Sequence, residues 1–179
     1  MLCGQGDVGH GIVAALALDG EEALIADVVQ GLEVAIKGNA ALSEGHLGEI
    51  LDSLGGSRGV GVNLDPANLV MVTGDDPVQA VHNLKDYIVH THAKDGVMLK
   101  RGNPEFLYNV VHPVPEEYNG VRFYEEKPLG DGSVPFPAYM AALEEIGYKG
   151  FLTIERECGA TPEADIRKAV QTLSAIMGK

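Results

Sequence analysis

Along its 179 residues this chain passes repeatedly from a short apolar, β-branched run into a stretch with helical spacing. Strand candidates at residues 32–36, 60–64, 87–92 and 151–154 alternate with helix candidates at 21–30, 43–54, 77–84, 137–146 and 162–177. Asp76 followed by Pro77 is a good N-cap with proline at the first helical position, and Gly55-Gly56 and Gly147 are stops. No hairpin signal separates these runs. Such alternation implies right-handed βαβ crossovers and a parallel sheet. Residues 96–134, with Pro104, Pro113, Pro115 and Pro128, interrupt the rhythm and read as a long irregular segment, either a lid or binding loop or simply a flexible connection.

Three strand candidates end in residues that carry chemistry. Val60-Gly61-Val62-Asn63-Leu64 runs into Asp65, Tyr87-Ile88-Val89-His90-Thr91-His92 ends in two imidazoles, and Phe151-Leu152-Thr153-Ile154 runs into Glu155. Parallel α/β sheets gather their functional groups at the carboxyl ends of the strands. Asp, His and Glu would thus meet at one end of the sheet, as a metal site or an acid–base constellation. Strict alternation places Ile88, His90 and His92 on one face, with Tyr87, Val89 and Thr91 on the other. No GxGxxG follows a strand and no Walker-type loop is present. Gly130 and Gly132 read as turn formers, since no helix follows them at once.

The length suits one domain with a proper core. A formal charge of −13 argues against a nucleic-acid backbone and an anionic membrane as partners, because both attract clustered Lys and Arg. Cys3 and Cys158 make neither a disulfide framework nor a zinc spacing and are expected as reduced thiols. The apolar run at 11–18 is far shorter than a membrane span, and no basic residue precedes it as in a signal peptide. A cytoplasmic protein is the expectation.

Four segments carry a resemblance: Asn63-Leu64-Asp65-Pro66-Ala67-Asn68-Leu69, Tyr87-Ile88-Val89-His90-Thr91-His92-Ala93-Lys94-Asp95, Pro128-Leu129-Gly130-Asp131-Gly132-Ser133-Val134 and Leu152-Thr153-Ile154-Glu155-Arg156-Glu157. In this order they resemble the sugar phosphate isomerase/epimerase family, the xylose isomerase-like TIM barrels. The likeness is good over residues 59–177 and loose over 20–58. It implies an α/β fold, the C-terminal half of a (β/α)8 barrel with about four parallel strands, as a single domain over 1–179 truncated at its N-terminal side. It also implies one divalent metal, Mn²⁺ foremost, with Mg²⁺, Co²⁺ or Zn²⁺ as alternatives. Asp65, His92 and Glu155 match three of the family's four ligands, and hard oxygens with one imidazole suit such ions.

Two departures stand out. Where family members carry the first glutamate ligand, Val34-Ala35-Ile36 continues into Lys37. An ammonium cannot ligate; Lys37 would take the metal's place electrostatically, act as a base if desolvated, or mark a damaged site. The chain also supplies only half of the eight strands, so two sheet edges would be exposed, and a homodimer that covers them is one expected assembly.

The resemblance implies proton transfer next to a metal-bound oxygen of a small sugar, sugar phosphate or polyol, with Glu155 and Lys37 as catalytic candidates. Asn68, His90, Lys94 and Arg156 are the substrate-binding candidates. Each has a plainer reading: Asp65-Pro66 as turn chemistry, His92 and His90 as core histidines, Lys94 and Asp95 as solvated loop residues. Arg156 faces away from Glu155 if the strand is regular. A lyase of the inosose-dehydratase type and a non-catalytic half barrel with a degenerate metal site are the alternative functions. A multi-zinc endonuclease of the same superfamily is disfavoured by the −13 charge and the few histidines.

Overall fold

The computed structural model describes residues 12–17, 34–37, 52–53, 60–108 and 111–178, with 12–17, 34–37 and residue 60 as backbone alone. The helix expected at 21–30 and most of that at 43–54 lie outside the described residues. Among these residues no helix is long and apolar enough to cross a membrane.

The described residues form seven strands: β1 (Ile12–Ala17), β2 (Val34–Lys37), β3 (Val60–Leu64), β4 (Ile88–Ala93), β5 (Asp95–Met98), β6 (Tyr124–Lys127) and β7 (Phe151–Arg156). The main sheet has the order β1-β7-β4-β3-β2. Within it β2, β3, β4 and β7 are parallel neighbours in chain order, as successive barrel strands are. The expected parallel sheet therefore holds for these four strands, and the fold is part of an α/β barrel.

Three features depart from the expectation. First, β1 pairs antiparallel with β7, from Ile12 opposite Arg156 to Ala17 opposite Phe151. Second, the segment read as irregular contains β5 and β6, paired antiparallel as a separate ribbon, and the short helix α3 (Pro104–Leu107) between them. Tyr124-Glu125-Glu126-Lys127 lacks the apolar alternation that marks a half-buried strand, which is why its pairing is invisible locally. Third, β4 is not regular. Val62 pairs with Ile88 but Asn63 with His90, so Val89 is an extra residue, and it is 41% exposed. The alternation expected from Ile88 onward is therefore interrupted at this bulge.

Between β3 and β4 run α1 (Pro66–Asn68), a π-helical turn (Leu69–Thr73) and α2 (Pro77–Asn83). Asp76 caps α2 through Oδ1, which accepts from the N–H groups of Val78 (2.8 Å) and Gln79 (3.4 Å), as Asp-Pro predicted. Between the ribbon and β7 lies α4 (Phe136–Glu145), and α5 (Pro162–Ile176) follows β7. Thr161 precedes α5, and its side chain makes no capping bond. One apolar core joins strands and helices, with Val62, Leu64, Leu84, Leu143, Leu152, Ile154 and Leu173 at most 2% exposed. The two polar side chains set deepest in it pair with each other, since Thr91 Oγ1 lies 2.5 Å from the Tyr139 hydroxyl and also donates to the Leu64 carbonyl.

Cys158 is disulfide-bonded, which corrects the expectation of reduced thiols and removes the redox argument for the cytoplasm; Cys3 lies outside the described residues.

Candidate metal centre

Asp65 follows β3 directly, and its two carboxylate oxygens do different things. Oδ1 accepts from the backbone N–H groups of Ala67 (3.0 Å) and Asn68 (3.1 Å), closing the turn that opens α1. Oδ2 is buried with no hydrogen-bond partner and lies 3.5 Å from His92 Nδ1. The two readings of Asp65, turn former and ligand, thus fall on different atoms of one side chain. A buried carboxylate oxygen is costly without a partner, and the His92 imidazole, 3.5 Å away, is the group that faces Oδ2 here.

His92 extends from the end of β4 and is 7% exposed. Its Nδ1 is buried and lacks a well-aligned hydrogen bond, although Glu155 Oε2 stands only 3.0 Å away. On the other side of the ring, Nε2 is 3.2 Å from the Asn63 amide nitrogen, while Asn63 Oδ1 is buried and unpartnered. Turning that amide over lets Oδ1 accept from an Nε2–H, which satisfies both groups and leaves Nδ1 to face the carboxylates. Burial by itself would depress the imidazole, but Asp65 and Glu155 outweigh it and raise the pKa to about 9. A metal ion here would have to displace that proton.

Glu155, in β7, completes the group. Asp65, His92 and Glu155 each offer one ligand atom, and all three atoms lie within 4.8 Å of one another. Two carboxylates and an imidazole brought together in this way are a donor set that suits a divalent ion. Asn63 was missed in the sequence because its role depends on the register beside His90 on β4 rather than on any motif. Asn63→Ala is expected to weaken Mn²⁺ binding by about 10-fold or more, the usual effect of losing a group that orients a ligand. A titration monitored by the electron paramagnetic resonance of free Mn²⁺ would show it, and equal affinities would contradict the assigned role.

The other expected site residues are placed as follows. His90 lies beside His92, ring centroids 5.7 Å apart, and its Nε2 is 2.8 Å from Thr153 Oγ1. Burial, and then the neighbouring His92, lower its pKa. Asn68 is 6% exposed in α1. Lys94 is buried, with Nζ 2.6 Å from Glu157, 3.3 Å from Glu155 and 3.6 Å from Glu126. Burial opposes its charge, but Asp65, Glu155 and Glu157 hold the ammonium above the usual lysine range. Arg156 turns away from the three donors, to Glu126 (2.7 Å) and Asp165 (2.8 Å). Lys37 ends β2 in register with Asn63, and its side chain lies outside the described residues.

Asp95 is not a solvated loop residue. It is 1% exposed; Oδ1 accepts from the N–H groups of Gly96 (2.8 Å) and Val134 (3.1 Å), and Oδ2 from those of Gly130 (2.9 Å) and Gly132 (3.0 Å). Gly130 has φ +91°, and a Cβ on Gly132 would stand 2.1 Å from Asp95 Oδ1. The glycines thus shape a turn, as expected, and the anion in that turn is the chain's own.

Comparison with known proteins agrees with the fold. The family model described as xylose isomerase-like TIM barrel matches residues 28–176. Among solved structures, a xylose isomerase domain protein from Planctomyces limnophilus is similar, with 28% sequence identity and a TM-score of 0.60. The match covers 80% of this chain and 44% of that protein, so the chain spans less than half of its length. No curated protein is significantly similar to the chain.

Proposed function

The chain belongs to the xylose isomerase-like TIM barrel family, and from that premise we propose that it is a divalent-metal-dependent isomerase or epimerase of a small sugar, sugar phosphate or polyol. The observation that carries the reading is the convergence of Asp65, His92 and Glu155 within 4.8 Å, with Asp65 Oδ2 and His92 Nδ1 buried and facing each other without a well-aligned hydrogen bond. Asp65, His92 and Glu155 would hold the ion, Mn²⁺ before Mg²⁺, Co²⁺ or Zn²⁺. When bound, the ion would polarise a carbonyl or hydroxyl oxygen of the substrate. Asp65 fixes its donor by spending its other oxygen on the α1 turn. Asn63 holds the His92 ring so that Nδ1 faces inward. Glu155, beside both His92 and Lys94, is the carboxylate that would move a proton on the carbon next to the polarised oxygen.

Lys37 at the end of β2 favours a second reading, a half barrel that keeps its family's fold without its chemistry, because a glutamate is the expected ligand at that strand end. Two measurements separate the readings. Elemental analysis of the protein, purified to a size-exclusion peak of known mass, should find close to one divalent ion per chain, and the ion should be missing from His92→Ala. The metal-loaded protein should then interconvert at least one aldose–ketose or ketose–ketose epimer pair by NMR. Failure to take up metal from excess Mn²⁺ by a folded protein would exclude the catalytic reading.

A further inference from the structure

We propose that Tyr124, presented by the antiparallel ribbon, is a substrate-positioning residue whose ring packs against the carbon chain of a molecule held at Asp65, His92 and Glu155. This rests on the metal-dependent reading above and adds to it a contact from outside the main sheet.

The first observation is the pleat of β6. Successive side chains of a strand point to opposite faces. Glu125 and Lys127 share one face, where they pair at 2.7 Å. Glu126 points the other way, to Lys94 (3.6 Å) and Arg156 (2.7 Å). Tyr124 lies on the Glu126 face, two residues and about 7 Å along the strand. Since Lys94 Nζ is itself 3.3 Å from Glu155, a single lysine links that face to a donor of the centre.

The second observation is which charges the phenol feels. Burial raises its pKa, Lys94 lowers it, and Glu157 and Glu126 raise it. Lys94 and Glu157 are the groups that pair beside Glu155. Tyr108, which caps the C-terminal end of α3 and packs against the core, adds a second phenol in the same neighbourhood. Burial raises it, and Tyr124, Asp65 and Glu157 raise it further. The segment between β4 and α4 thus brings two phenols toward the three donors.

The third observation is exposure. The Glu126 side chain is 4% exposed, whereas Tyr124 on the same face is 37% exposed. The ring is open where this buried face meets solvent. An aromatic ring at the rim of a polar centre offers C–H groups a surface to pack on, and its hydroxyl can donate to an oxygen.

The test is titration of the Mn²⁺-loaded protein with xylulose, ribulose, fructose, their terminal phosphate esters and myo-inositol. The unaltered chain should bind at least one of them. Tyr124→Leu should weaken that binding about tenfold, with part recovered in Tyr124→Phe, while Mn²⁺ affinity stays within about threefold. The chain has six tyrosines and no tryptophan, so its near-ultraviolet absorption is dominated by phenols. The difference spectrum that the ligand induces should shrink in both variants. Unchanged ligand affinity in Tyr124→Leu would overturn the proposal. An equal loss of Mn²⁺ and ligand affinity would overturn it too, because Tyr124 would then be a prop of the ribbon. If Tyr124→Leu does not fold, Tyr124→Phe decides through its spectrum, and an undiminished signal overturns the proposal. Should the unaltered chain load no Mn²⁺, or bind no ligand once loaded, the isomerase reading falls and the proposal with it, so the two failures are distinguishable.

Discussion

Asp65→Asn is expected to abolish tight Mn²⁺ binding, lowering affinity by more than about a hundredfold, since even groups that only orient a ligand are worth about 10–100-fold. The substitution is chosen because the two oxygens of Asp65 have separable duties. An amide that keeps Oδ1 toward the Ala67 and Asn68 N–H groups preserves the cap and puts a neutral NH₂ at the position of Oδ2. Stability should therefore fall little while the ion is lost. Urea denaturation alongside a Mn²⁺ titration separates the effects. Binding retained within about threefold would mean that the buried oxygen facing His92 has no part in holding a cation.

The second large effect concerns Asp95→Ala, which is expected to destabilise the protein by more than about 3 kcal/mol, because four buried backbone donors lose a charged acceptor at once. Against a typical net stability of about 5–15 kcal/mol this is a large fraction. Asp95→Asn should lose most of the same stability, since the NH₂ group would face two of the N–H donors. The check is the urea midpoint at constant slope; a loss under about 1 kcal/mol would show that water replaces the carboxylate in that turn.

The strand ends carrying Asp65, His92 and Glu155 were legible because each is a short apolar run that stops at a polar group, and a parallel strand buried on both faces has little other reason to do so. The Asp76-Pro77 start of α2 was legible because capping is a local matter of one side chain and two N–H groups. What could not be read depends on partners distant in sequence. Asp95 reaches donors 35 to 39 residues away, and its neighbour Lys94 reaches carboxylates 61 and 63 residues away. The bulge at Val89 exists only in the register between β3 and β4. The antiparallel attachment of β1 to β7 is equally opaque, because residues 12–17 look the same whichever way they pair. Lys94 and Arg156 stand among the substrate-binding candidates of the sequence, but no local rule states that both would be engaged by carboxylates from the ribbon and from α5.

One carboxylate on that ribbon has a mechanical consequence. Glu126 Oε1 accepts from the Arg156 guanidinium and from the backbone N–H groups of Glu157 and Cys158, while Oε2 lies toward Lys94. The ribbon is thereby riveted to the segment that carries Glu155, so neither can swing without the other. Hydrogen exchange should report this directly: the Glu157 and Cys158 amides, at the end of a strand where fraying is the rule, should exchange slowly in the native protein and rapidly once Glu126 is replaced by alanine.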